Sequence, residues 1–371
     1  MKRTVAIYLL ILFSPFSSAS SDSYAHHSKE LIAVADLGRL RAVGLGVSSD
    51  NRIFVSFPNR TASNDYAVAE VVGGKLLAYP DTAWNTNVGD ERKRFVNAQA
   101  LHVDARDNLW VLDSKPVSGP VVEQESKNSA EGYFKLVKIN LSTNRVEKEY
   151  YFDSLDKRFS SLNDVNVDIE RGVAYLSDPG LKAIVVLDLI TGTSRTLLRD
   201  SFATKADPNV VLSYEGQPMQ SPDGTLFKSD VNGIALTKDN RYLYFKPINK
   251  VNLYRIETRS LVDTRLDDIE LASKVEDQGA TTVSHGLIAD AQDNIYMTSS
   301  LDYSVKYKTP GDGLLHTLVQ DARLIWPDSL GVGNDGYLYI TAAQYQRDPY
   351  WNNGREGTVY PYQLYKVRLP Q

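Results

Sequence analysis

The sequence predicts an all-β protein: a six-bladed β-propeller closed by an N-terminal strand that completes the last blade. Three observations carry this reading. One hairpin pattern recurs six times, the copies are spaced by the length of a four-stranded unit, and a spare strand stands ahead of the first copy. Composition agrees, because strand formers such as Val, Tyr, Ile and Thr recur in short runs and the chain holds 22 Tyr against 3 Met.

The six copies are VGLGVSSDNRIFVSF (43–57), QALHVDARDNLWVLDS (99–114), NDVNVDIERGVAYLSD (163–178), NGIALTKDNRYLYFKP (232–247), HGLIADAQDNIYMTSS (285–300) and DSLGVGNDGYLYITAA (328–343). Each is a short apolar strand, a tight turn and a second apolar or aromatic strand. Five turns carry Asp-Asn or Asp-Gly and the third carries Arg171-Gly172, residues that accept the positive φ of tight hairpins. The turns lie at 50, 107, 171, 239, 293 and 335, so the intervals are 57, 64, 68, 54 and 42 residues.

Further strand pairs fill these intervals: AVAEVVGGKLLAYP (67–80), KLVKINLSTNRVEKEYYF (135–152), AIVVLDLITGTSRTLL (183–198) and NLYRIETRSLVDT (252–264). The sixth copy is followed by a single strand, YQLYKVRL (362–369), before the chain ends. Pairing ELIAVADL (30–37) into that last unit closes the ring and removes the free edges an open array would keep. The propeller domain is thus placed at 30–371.

In such blades the strand 1–2 and 3–4 turns share one face, and the strand 2–3 loops and blade connections share the other. The first set reads as uniformly short, with Gly73-Gly74, Thr143-Asn144, Thr191-Gly192 and Thr258-Arg259 beside the six turns above. The second set is long, at 81–95, 114–132, 199–224 and 344–362. Long connections on a compact scaffold carry function, so the site is expected on that face.

Aligning the copies on their turns shows what begins each inner strand: Val43, Gln99, Asn163-Asp164, Asn232, His285 and Asp328. Five of the six are polar and stand directly before an apolar run. All point at one tunnel mouth, where converging polar groups need each other, a ligand or water. Two carboxylates there favour a cation, either a metal ion or an ammonium group. Among five histidines, His26 and His27 fall near the start, His102 reads as structural, His316 lies on an outer strand, and His285 alone is in the ring. An imidazole suits proton transfer near neutrality, so His285 with Asp164 or Asp328 forms a candidate acid/base pair. Trp326 and the Tyr/Trp-rich 345–362 loop are candidates for stacking on a ring or clasping an amine.

The remaining features are mostly exclusions. Net charge is −5 with no basic block, which argues against nucleic acid and anionic membranes as partners. There is no cysteine, hence no disulfide, thiolate ligand or Cys nucleophile. No Gly-x-Ser-x-Gly elbow, His-Glu-x-x-His helix or phosphate-binding glycine loop is present. The start, MKRTVAIYLLILFSPFSSAS, has a basic Lys2-Arg3 pair, an apolar core from Val5 to Phe13 and small residues after it. It reads as a signal peptide over 1–25, too short for a stable membrane anchor, with cleavage after Ser20 or Ala25. A secreted or periplasmic protein is expected.

The phrases LNDVNVD with AYLSD (162–178), VNGIALTKDNRYLYF (231–245), SHGLIAD (284–290), WPDSLGV (326–332) and FVNAQALHVDARDNLWVLDS (95–114) resemble the major royal jelly protein/Yellow family in a bacterial-type form. The resemblance runs from about residue 37 to 345, one motif per blade, and the chain departs from animal members in lacking cysteine. It implies a secreted propeller. Yellow-type members are linked to dopachrome conversion, and others bind small amines or serve structural or nutritional roles. A more distant resemblance is to gluconolactonase/senescence-marker propellers, which hold a divalent metal at this ring with a Glu, two Asn and an Asp. Asn163, Asn232 and Asp328 match three of those positions, with Val43 in place of the Glu.

The expected function is therefore binding of a small aromatic or amine-bearing molecule at the tunnel mouth, with isomerisation of the dopachrome kind as its catalytic form. Gln99, Asn163, Asn232, His285 and Trp326 are the expected ligand contacts, and His285, Asp164 and Asp328 the proton-transfer groups. A metal-dependent lactonase of gluconolactonase type, holding one divalent cation such as calcium with Asn163, Asn232 and Asp328, and a non-catalytic binding protein are the alternatives.

Overall fold

A computed structural model describes residues 26–59, 65–114 and 134–370. The expected signal peptide lies outside the described residues. Six four-stranded antiparallel sheets are arranged in a propeller. Blade 1 comprises Leu45–Val47, Ile53–Ser56, Val68–Val72 and Lys75–Ala78, and blade 2 comprises Ala98–Val103, Asn108–Asp113, Lys135–Asn140 and Arg145–Tyr151. Blade 3 follows as Val165–Asp168, Val173–Asp178, Ala183–Asp188 and Ser194–Leu197, and blade 4 as Val231–Leu236, Tyr242–Pro247, Asn252–Glu257 and Glu276–Ala280. Blade 5 is Leu287–Ala289, Ile295–Ser299, Ser304–Lys308 and Leu315–Gln320. Blade 6 takes Pro327–Val332, Tyr337–Ala342 and Tyr362–Arg368 from the end of the chain and Ile32–Gly38 from its start, with Ile32 opposite Lys366 and Gly38 opposite Tyr362. The expected closure is the observed one.

The blades pack face to face, so an inner strand is covered on both sides and an outer strand on one. Asn108–Asp113 and Val173–Asp178 are buried at every position, whereas Arg145–Tyr151 is mostly accessible. That contrast is why the inner hairpins read as apolar runs and the outer strands as mixed ones. Apolar clusters fill the gaps between blades, the largest holding Trp110, Leu136, Phe152, Leu176 and Val185 between blades 2 and 3.

The plain-face turns use one left-handed residue each: Asn51, Asp107, Gly172, Asn240, Asp293 and Gly336. In three of them an aspartate ahead of the turn binds its backbone, Asp168 accepting from the amide of Arg171. Asp104 accepts from the amides of Arg106 and Asn108, and Asp290 from those of Gln292 and Asn294. Such local bonds explain the recurrence of Asp and Asn at these sites.

Blade 4 corrects two expectations. The stretch after Asn252–Glu257 is not a turn and strand. Thr258–Val262 and Asp268–Ser273 are helices, and the fourth strand is Glu276–Ala280. The plain face is therefore not uniformly short-looped. Asp267 and Glu270 form a reciprocal capping box, and Leu261 and Leu271 are buried against blades 3 and 4. Two buried leucines and a cap outweigh the strand-like appearance of RSLV.

Candidate functional site: the aromatic mouth of the central channel

The ring forms because inner strands approach one another by backbone. Gly44, Gly233 and Gly286 each follow a ring residue. A Cβ on Gly233 would lie 2.8 Å from the His285 carbonyl oxygen, and one on Gly44 would lie 2.9 Å from that of Gln99. A Cβ on Gly286 would overlap the carbonyl oxygen of Asp328. Only glycine permits this spacing, which brings the preceding side chains to the axis. Buried carboxylates hold the chain leading into two of these strands. Asp113 accepts from the amides of Val96 (2.8 Å) and Asn97, and Asp178 from that of Ser161 (2.9 Å).

A cavity of about 130 Å3 opens at this end. Val43, Gln99, Asn163, Asn232, His285 and Asp328 all line it, one from each blade. Gln99 donates to the Asn163 amide oxygen at 3.3 Å. Asp164 does not join them. Its carboxyl accepts from the amides of Val165 and Ile234, and it lines the larger cavity at the opposite end. Adjacent residues of an extended chain point opposite ways, so Asn163 and Asp164 cannot both face one mouth.

The walls are aromatic. Trp326, Tyr345, Phe227 and Trp351 line the cavity, the last three supplied by the long connections. Phe227 meets Trp326 and Trp351 edge-on at 5.4 and 5.1 Å. Trp326 stacks on His285 with centroids 3.8 Å apart and donates from Nε1 to Asp328 at 3.1 Å. Its backbone is left-handed, with φ of 52°. A bulky residue there carries strain that the surroundings must hold, as the Ala343 amide does by donating to the Trp326 carbonyl at 2.9 Å. Such strain concentrates at functional sites.

His285 is buried. Its Nε2 lies 2.7 Å from the Ser300 hydroxyl, which lies 2.8 Å from the Tyr214 hydroxyl. Its Nδ1 is buried with no partner among the described residues, as is the Ser161 hydroxyl, whose residue also lines the cavity. Burial pushes the imidazole down to about 3, with Lys246 adding to the effect, so His285 is neutral at physiological pH. Burial pushes the Asp328 carboxyl up to about 7, the Asp164 carboxylate adds to the shift, and Trp326 and Arg41 oppose it. Asp164 is likewise raised to about 7 by burial.

Sequence reasoning missed Ser161, Tyr214, Phe227 and Ser300, because nothing in a strand end or a long loop marks which side chain turns inward. It read His102 as structural. Burial lowers that imidazole to about 4, and the residue lines the opposite cavity.

The oxygens for a hard cation are few. Asn163, Asn232 and Asp328 give three, Val43 packs in an apolar cluster with Trp326 and Phe227, and Asp164 is engaged elsewhere. Calcium takes six to eight oxygens, and these residues do not form such a shell.

The model of the major royal jelly protein family matches residues 96–355, well over half of the chain. The chain belongs to that family. Major royal jelly protein 1 of Apis mellifera is 26% identical over 199 residues, covering 50% of this chain and 42% of that protein. Major royal jelly protein 7 of the same species is 24% identical over 221 residues, covering 57% and 45%. The chain thus spans less than half the length of these curated relatives. Among solved structures, a gluconolactonase from Xanthomonas campestris superposes with a TM-score of 0.54 at 13% identity, over 92% of this chain and 89% of that one. A streptogramin B lyase gives 0.53 at 13%, over 92% and 97%. Identities this low show the propeller fold alone, and as a family member the chain keeps its own mouth to be read from its own residues. Among the described residues, no helix is long and apolar enough to cross a membrane.

Proposed function

We propose that this royal jelly-type propeller binds a small aromatic molecule bearing an amine at the aromatic mouth, and isomerises it by moving a proton. One observation carries the reading. In a cavity walled by four aromatic rings, the buried His285 Nδ1 has no partner among the described residues, while the Asp328 carboxyl, from the next blade of the ring, sits near neutral pKa. Buried polar atoms are almost always paired, so this vacancy in the hydrogen bonding points to a ligand.

The rings of Trp326, Tyr345 and Trp351 wall the space for a flat ligand, and Tyr345 already takes a cation on its ring, the Arg41 guanidinium 4.7 Å from the centroid. Asp328 is suited to both states, because a carboxyl near pKa 7 takes a proton from carbon and returns it elsewhere with equal ease. In that step a C–H bond breaks, its electron pair moves into the ligand's π system, and the same carboxyl protonates the far end. No oxidant or reductant is required. Gln99, Asn163 and Asn232 orient the polar groups of the ligand. The N-terminal segment supports export of the protein.

Titration of the full chain with a panel of aromatic amines, followed by tryptophan fluorescence, tests this. Saturable quenching that Asp328→Asn weakens at least tenfold is expected. Absence of binding by every aromatic amine at millimolar concentration overturns the reading. Binding without isomerisation of any bound compound leaves a non-catalytic binding protein. Stoichiometric calcium lost on Asp328→Ala transfers the assignment to a metal-dependent lactonase.

A further inference from the structure

We infer that Tyr214 and Ser300 fix the tautomer of His285, so that the imidazole presents an N–H donor rather than a base to the mouth, and that the ligand carries a hydrogen-bond acceptor opposite it. This rests on the ligand site proposed above and names the chemistry of one point within it.

Proton bookkeeping along the chain of three residues leads to this. Tyr214, from the long connection between blades 3 and 4, is buried, and its hydroxyl has Ser300 Oγ at 2.8 Å as its one hydrogen-bond partner among the described residues. A buried phenol has one proton to donate, so Ser300 accepts it. Ser300 is also buried, and its hydroxyl proton has one remaining acceptor, His285 Nε2 at 2.7 Å. Nε2 therefore accepts, and the ring proton resides on Nδ1. The reverse order, with Nε2–H donating to Ser300 and Ser300 to Tyr214, strands the phenolic proton and leaves Nδ1 as a bare lone pair. One order satisfies every proton up to the cavity wall; the other satisfies fewer.

The surroundings keep the ring neutral and fixed. Trp326 covers one face at 3.8 Å, and buried Lys246 donates to the Thr282 carbonyl nearby. Nδ1 has no acceptor among the described residues and belongs to a residue lining the cavity. A buried N–H without an acceptor, on a residue that lines the cavity, matches a carbonyl, a phenolate or a ring nitrogen on the ligand. Tyr214 and Ser300 are positioning residues: they act through His285.

The full chain labelled with 15N-histidine at neutral pH tests this by two-bond 1H–15N correlation, with His285 assigned by the signal lost in His285→Gln. The expected pattern is a protonated Nδ1 and a bare Nε2. A protonated Nε2, or an imidazolium, overturns the inference. Tyr214→Phe and Ser300→Ala are expected to shift His285 towards the Nε2–H form, and Ser300→Thr to retain the wild-type pattern. An unchanged pattern in both Tyr214→Phe and Ser300→Ala overturns their role. The spectra require no ligand, so failure here is separate from failure of the aromatic-amine titration.

Discussion

The two mouths of the channel are built from the same six inner strands and differ in what their polar groups have left to do. The plain mouth is the larger, with a cavity of about 360 Å3, and the more acidic, lined by Asp104, Asp107, Glu170 and Asp290. Yet each of these carboxylates is occupied within its own turn or the neighbouring one. Asp104 holds two backbone amides, the Asn108 amide and the Trp110 indole. Asp290 does the same for its turn and takes the Tyr296 hydroxyl. Asp107 accepts from Ser49, and Glu170 pairs with Arg106. The aromatic mouth is smaller, at about 130 Å3, but holds a buried imidazole nitrogen and a serine hydroxyl without partners among the described residues. Unmet hydrogen-bonding capacity, rather than size or charge, separates a site from a structural cluster.

This contrast can be broken most severely through the backbone. Gly286→Ala places a methyl group against the Asp328 carbonyl oxygen, forcing blades 5 and 6 apart at the aromatic mouth. A loss of about 3 kcal/mol is expected in denaturant unfolding, as for overpacked cores. Gly336→Ala, at the far end of blade 6 with open space but a φ of 79°, is expected to cost less, about 1 kcal/mol. Equal losses would remove the argument that the ring is set by close backbone approach.

Exchanging the polar groups sharpens the comparison. His285→Ala and Asp328→Asn are expected to weaken aromatic-amine binding by about 10- to 100-fold, Asp328→Asn without lowering the unfolding midpoint, since single polar contacts are worth about 1–3 kcal/mol. Asp290→Ala should do the reverse, lowering stability by about 1–3 kcal/mol while leaving affinity unchanged. Titration calorimetry alongside urea unfolding of the three variants distinguishes the two mouths.

A third effect is read in pH. Asp328 and Asp164 have folded pKa values near 7, above the carboxylate value of 3.8, so the folded state holds protons that the unfolded state releases. Stability from these groups is complete below about pH 4 and is lost as pH rises towards 7. His285, lowered from 6.5 to about 3, acts oppositely: its contribution is complete above 6.5 and is lost as pH falls towards 3. Asp328→Asn should therefore gain on the wild type between pH 4.5 and 7.5, by about 1–3 kcal/mol. A variant tracking the wild type at every pH would place the Asp328 pKa in the ordinary range.

The smallest expected effect is that of a chelator. With three oxygens from Asn163, Asn232 and Asp328 and none from Val43, removal of divalent cations is expected to leave both the melting temperature and aromatic-amine binding unchanged. A drop in either locates a cation at the aromatic mouth.

Local chemistry made much of the molecule legible in the chain. Apolar runs ending in a tight Asp-Asn, Asp-Gly or Arg-Gly turn are short-range signals, because a turn depends on its own four or five residues, and six of them spaced 42 to 68 residues apart specify six blades. The closing strand was readable for the same reason, since an edge needs a partner and Ile32–Gly38 was the one left over. Blade 4 was misread after Glu257 because Leu261 and Leu271 owe their burial to blades 3 and 4, outside any local window. At the aromatic mouth the chain named His285, Asp328, Asn163, Asn232 and Gln99 by their place ahead of each inner strand. Which way a side chain turns was decided by the assembled ring. Asn163 faces the mouth and Asp164 does not. Tyr214 reaches Ser300 across 86 residues of sequence, and Ser300 in turn holds His285. Local sequence determines strands and turns because their bonds are short in range. The site is tertiary, because six blades must close before its side chains share one cavity.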